Sequence, residues 1–156
     1  MSDRERYLQL FGESGATLSN ADWIDLANAS LPPNLSALNA RIVAGSRENR
    51  YLQVSYRPEP DAFTFFSLSG GCVAEMLDQT AAHCGTFVTG CGCPTLTMTV
   101  NYLRAGIGSA FVATAGLLAV TSATAIISGE LNDERERLIA SATVVVQLLK
   151  DVNRYN

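Results

Sequence analysis

The sequence predicts an α+β fold: a long central helix wrapped by a curved antiparallel sheet, with extra helices at the N-terminus. Three observations carry this. Residues 70–88 form one apolar stretch of helical rather than strand length. Four strand-like runs follow it, separated only by short turns. A pair of strand-like runs precedes it. A helix this apolar buries its sides only if the sheet curls around it and another body covers what remains.

The elements follow in order. Residues 2–13 read as an amphipathic helix with Tyr7, Leu8, Leu10 and Phe11 as its apolar stripe. Ser19-Asn20-Ala21-Asp22 offers caps for a second helix ending near Ala29, and Pro32-Pro33 stops it. Residues 40–45 and 51–56 read as two strands joined by a polar turn at 46–50; Pro58 and Pro60 open a loop. The helix at 70–88 ends in the turn Gly90-Cys91-Gly92-Cys93-Pro94. Residues 95–103 alternate, with Thr95, Thr97, Thr99 and Asn101 on one face and Leu96, Met98, Val100 and Tyr102 on the other. Strands at 111–120, 124–131 and 138–149 complete a meander. No repeat, low-complexity tract or long linker divides the chain, so one domain is expected, with residues 1–37 as a helical extension and 38–149 as the core.

Composition narrows the function. The chain has 156 residues, 47% hydrophobic and 17% charged, with net charge −4. No basic stripe is present, so nucleic acid is not an expected partner. Apart from Lys150 every basic residue is arginine, whose planar fork suits phosphate. No apolar run reaches the roughly 18–20 residues of a membrane helix. The start, Met-Ser-Asp-Arg-Glu-Arg, mixes acids with bases and has no apolar stretch behind it, so no secretory signal is read and a cytoplasmic location is expected. Of the four cysteines, Cys91 and Cys93 are too close for a zinc half-site and have no matching pair. Buried thiols in a reducing compartment are expected, with no metal and no cofactor. His83, the only histidine, is expected to be structural.

Asp78 stands out because it interrupts an apolar helix, where a carboxylate is costly unless something holds it. At about 100° per residue it shares its face with Ala74, Ala81, Ala82 and Gly85, with Glu75 close by; this small-residue face leaves room for a second helix or a ligand. Ser69 is the expected N-cap. Gly70 and Gly71 leave the first N–H groups of the helix open to a substrate whose oxygen develops negative charge.

Gly70-Gly71, six residues, then Asp78, followed by Thr95 and Asn101-Tyr102-Leu103-Arg104, resembles the hotdog-fold thioesterases of the phenylacetic-acid-degradation (PaaI-like) type. The likeness runs over residues 38–149. It implies hydrolysis of an acyl-CoA thioester to a free acid and CoA, without a cofactor, in a homodimer whose sheets join and which often pairs into a homotetramer. It implies Asp78 as nucleophile or general base, the Gly71 N–H on the thioester carbonyl, and a Thr95 from the other subunit placing the water. Arg104 becomes a candidate for the CoA phosphates. Two positions depart from that pattern: Ser69 replaces a His or Gln, and Phe63 replaces an Asn. Ser69 keeps hydrogen-bonding capacity, whereas Phe63 is expected to line an acyl pocket. Two other hotdog functions compete. A hydratase pairs a histidine with an acid, but His83 projects about 140° from Asp78 on the helical wheel. A non-catalytic acyl-CoA or fatty-acid binding protein is the alternative from a different class.

Overall fold

Helix α5, Gly70–Thr89, lies at the centre of the computed structural model, which describes residues 1–155, with Arg154 and Tyr155 described by backbone alone. The Ser69 hydroxyl accepts from the Cys72 N–H at its start. Gly90 ends it in the left-handed region at φ 72°, a conformation glycine adopts without steric cost. Val73, Met76, Leu77, Thr80, Cys84 and Phe87, which point away from the Asp78 face, are buried, and so is Ala81 on that face.

The sheet has six antiparallel strands: β1 Arg41–Ser46, β2 Tyr51–Tyr56, β3 Thr95–Tyr102, β4 Phe111–Val120, β5 Thr124–Asp133 and β6 Leu138–Gln147. Their order is β1-β2-β4-β5-β6-β3, so the strand that leaves α5 goes to the far edge. Extra residues in β1, β3, β4 and β6 help the sheet curl. Its inner face mixes large residues with several small ones. Ala113, Ala115, Ala125, Ala140 and Ala142 are buried there, and a Cβ on Gly129 would come within 3.2 Å of the Leu77 side chain. Small residues on the sheet let a helix with large ones seat closely. Tyr56, fully buried, bonds from its hydroxyl to the Met76 carbonyl and to Thr80.

The N-terminal extension differs from the expected pair of helices. It contains four: α1 Asp3–Leu8, α2 Gly12–Thr17, α3 Asn20–Asn28 and α4 Pro33–Ala37. The helix predicted over 2–13 breaks because Gly12 takes φ +60° and donates its N–H to the Gly90 carbonyl. Pro33 does not merely stop a helix; it starts α4 from its first turn, where its missing N–H costs nothing. Trp23 anchors the extension. It is buried against Phe87, with ring centroids 4.9 Å apart, and donates its indole N–H to the Leu10 carbonyl. The Arg47 guanidinium donates to the carbonyls of Gly15, Leu18 and Phe87. It thereby ties α2 to the end of α5.

β3 departs from its predicted burial. Met98 and Val100 are half-buried, while the other six residues are exposed, including Leu96 and Tyr102. Among the described residues no strand lies along its free edge.

Candidate active site

The Thr95 hydroxyl donates to one carboxylate oxygen of Asp78 at 2.6 Å. Asp78 projects from the middle of α5 and is half-buried, and Thr95 opens β3 directly after the Cys91–Pro94 turn. The two come from one chain. The expectation that Thr95 reaches Asp78 from another subunit is corrected: the turn after Gly90 carries the chain back beside α5, so β3 starts next to the helix face it has just left. With one oxygen held, the second oxygen of Asp78 remains for a ligand or a water.

The small-residue face is only partly open. Ala74 and Ala82 are half-buried, but Ala81 and Gly85 are fully covered. A Cβ on Gly85 would meet the Cys93 sulfur at 2.8 Å. Glu75, one turn before Asp78, accepts from the Asn34 side chain at 2.9 Å. The two acids on this face thus have different partners, one in the N-terminal extension and one on β3.

At the start of α5, Ser69 caps as expected, and Gly71 is exposed with open space where a Cβ would stand. The Tyr102 hydroxyl donates to the Gly70 carbonyl at 2.8 Å. Gly70 and Arg104 line one open cleft of about 370 Å³ with Ser67, Leu68 and Leu103. Arg104 therefore stands near the N-terminus of α5, where an anion would meet both its charge and free N–H groups. Gly71 and Asp78 are seven residues apart, or about 10 Å along the axis of one helix. They do not converge within a chain. Phe63 is also apart from Asp78. It packs near Phe111, with centroids 6.4 Å apart, and pairs with Leu68, so within one chain the expected acyl-pocket role has no support.

His83 has two hydrogen-bond partners, neither of them Asp78. One ring nitrogen meets the Gln79 carbonyl at 2.8 Å and the other the Tyr7 hydroxyl at 3.1 Å. Burial lowers its pKa, with the Gln79 carbonyl opposing. Tyr7 was read only as part of an apolar stripe; a partner 76 residues away leaves no local signal. Burial likewise pushes the Cys93 thiol up to about 11 and Cys84 to about 12, so both stay protonated near neutrality. Among the described residues no cluster of three His, Cys, Asp or Glu side chains is placed to hold a metal. No described helix is long and apolar enough to cross a membrane.

Residues 67–140 match the thioesterase superfamily. A phenylacetic acid degradation-related protein of Ralstonia eutropha is 24% identical, with TM-score 0.72, covering 76% of this chain and 91% of its own. The PaaI protein of the Escherichia coli phenylacetic acid degradation operon is 16% identical, with TM-score 0.73, covering 81% and 91%. A Streptococcus mutans protein solved with acetyl-CoA bound is 18% identical, with TM-score 0.64, covering 70% and 88%. No curated protein matches the chain. The core built around α5 thus matches the thioesterase superfamily in sequence over residues 67–140, and has the hotdog fold of the PaaI-type proteins.

Proposed function

We propose that the protein hydrolyses acyl-CoA thioesters at a site centred on Asp78. The observation that carries this reading is the 2.6 Å bond from Thr95, which fixes one oxygen of an acid in an apolar helix and leaves the other for chemistry. As general base, the free oxygen takes a proton from water while the water oxygen attacks the thioester carbon. The carbonyl π electrons move to oxygen. The tetrahedral intermediate then collapses, the C–S bond breaks, and the CoA sulfur leaves and takes a proton. As nucleophile, Asp78 would instead form an anhydride that water opens. CoA is favoured as the leaving group by Arg104 and the free N–H groups at the start of α5. The acetyl-CoA in the Streptococcus mutans relative also supports it.

The developing oxyanion needs a donor about 3 Å away. Gly71 of the same chain is too far along the helix, so the reading requires a second copy whose α5 runs antiparallel and brings its own Gly71 to Asp78. An exposed β3 with a free edge, bearing Leu96 and Tyr102, supports a homodimer joined there. Pairing of dimers into a tetramer is the further extension of this reading.

Thiol release from a panel of acyl-CoAs is the test, with wild type beside Asp78→Asn and sedimentation run on both. Hydrolysis by wild type that falls about 10²–10⁴-fold in Asp78→Asn is expected. CoA esters that bind both proteins but are cleaved by neither would instead mark a binding module.

A further inference from the structure

Next to the Asp78–Thr95 pair lies a cavity of about 300 Å³ that the N-terminal extension creates. α1 and the residues after it lie across α5. Tyr7, Leu8 and Phe11 form one wall, and Ala82, Cys93 and Pro94 stand on the core side. Ala82 is one turn beyond Asp78, and Pro94 directly precedes Thr95. Tyr7 and Phe11 hold the outer wall by an edge-to-face contact with centroids 5.4 Å apart. These three wall residues lie outside the segment that matches the superfamily.

We propose that this cavity is the acyl pocket of the Asp78 site and that it admits compact, uncharged acyl groups. The proposal rests on the thioesterase reading for its chemistry, but not for its binding test. Size is the first argument: a 150 Å³ apolar cavity accepts benzene, so twice that volume suits an acyl group of about six to ten carbons. Charge is the second. The Gln79 carbonyl can only accept, so His83 Nδ1 carries the proton, Nε2 is bare, and the Tyr7 hydroxyl donates to it. The Tyr7 proton is thus committed away from a ligand. Among the described residues no Asp, Glu, Lys or Arg side chain lines the pocket, and His83, buried and neutral, gives no cation. A terminal carboxylate would enter without a cationic partner, met only by the neutral Gln79 and Thr86 side chains.

Two variants move opposite walls. Leu8→Ala enlarges the cavity and Ala82→Leu fills it; thermal melting checks that both fold. Affinities are measured for S-alkyl-CoA thioethers of 2 to 16 carbons, which cannot be hydrolysed, and for a carboxylate-ended thioether. Wild type is expected to bind best at about six to ten carbons and at least tenfold more weakly at 16 or with the carboxylate. Leu8→Ala should move the optimum to longer chains and Ala82→Leu to shorter ones, with the two-carbon thioether changed less than about threefold. A length profile that is identical in all three folded proteins overturns the pocket, whether or not any acyl-CoA is cleaved. Loss of cleavage with the length shifts intact overturns only the hydrolytic reading.

Discussion

Replacing Arg47 by methionine tests whether the N-terminal extension is held to the core as described. The guanidinium donates to the carbonyls of Leu18 at 2.8 Å, Phe87 at 2.9 Å and Gly15 at 3.0 Å, and more weakly to the Asn20 side chain at 3.3 Å. It also lies 4.7 Å from the centroid of the Phe87 ring. Hydrogen bonds from a charged donor contribute about 1.5–3 kcal/mol each. Three such bonds would overshoot, because Arg47 is half-buried in a cleft that also reaches Gly15 and lets water replace it. A loss of about 3 kcal/mol is therefore expected, or about 6–12 °C in melting temperature for a chain of this size. Burial lowers the Arg47 pKa, and the surrounding carbonyls accept from its charged guanidinium. The assay is thermal melting followed by circular dichroism and by emission of Trp23, the only tryptophan, buried against Phe87. Trp23 emission should change at lower temperature than the dichroism in Arg47→Met, and Arg47→Lys should recover about half of the loss. A melting temperature within about 1 °C of wild type, with coincident transitions, would refute this account of the extension.

Thr95→Val should lower kcat about tenfold by releasing the Asp78 oxygen it holds, with KM little changed; steady-state kinetics reads both. His83 has a folded pKa below its ordinary 6.5, so the unfolded chain binds more protons as the pH falls below that value. Stability should decline from pH 6.5 down to the folded pKa and then level, a slope in urea midpoints that His83→Gln removes. Asp133, buried beside Arg137 with its pKa held below 3.8, should add a separate loss in stronger acid, which Asp133→Asn would erase. Gly129→Val should cost about 1–3 kcal/mol in urea unfolding, since a Cβ there already crowds Leu77.

The core was legible because its signals are local. An apolar stretch of helical length, a serine before it and a glycine after it set α5 to within one residue. Turn residues likewise bounded the strands. The extension was harder. The stripe of Tyr7, Leu8, Leu10 and Phe11 continues smoothly across the break between α1 and α2. Gly12 bends there to meet Gly90, a partner that periodicity does not register. The alternation of β3 suggested one buried face, yet burial depends on neighbours, and a strand at the sheet edge has few. Asp78, Gly71 and Thr95 stand out as candidates by type and spacing. Which of them meet does not follow from type and spacing, because the Thr95–Asp78 bond depends on where the turn after Gly90 delivers the chain. The Tyr7–His83 contact belongs to the same class: it exists only once the extension folds over α5.

The seven-residue spacing between Gly71 and Asp78 has a genetic consequence. In a two-copy site each chain lends its acid to one reaction centre and its N–H to the other. Two separately dead alleles, Asp78→Asn and Gly71→Pro, would then rescue each other when co-expressed. A mixed dimer carries one centre with both defects and one with neither. With random pairing half the dimers are mixed, so about a quarter of all centres would work. Interallelic complementation of this kind is impossible for an enzyme whose site is complete within one chain.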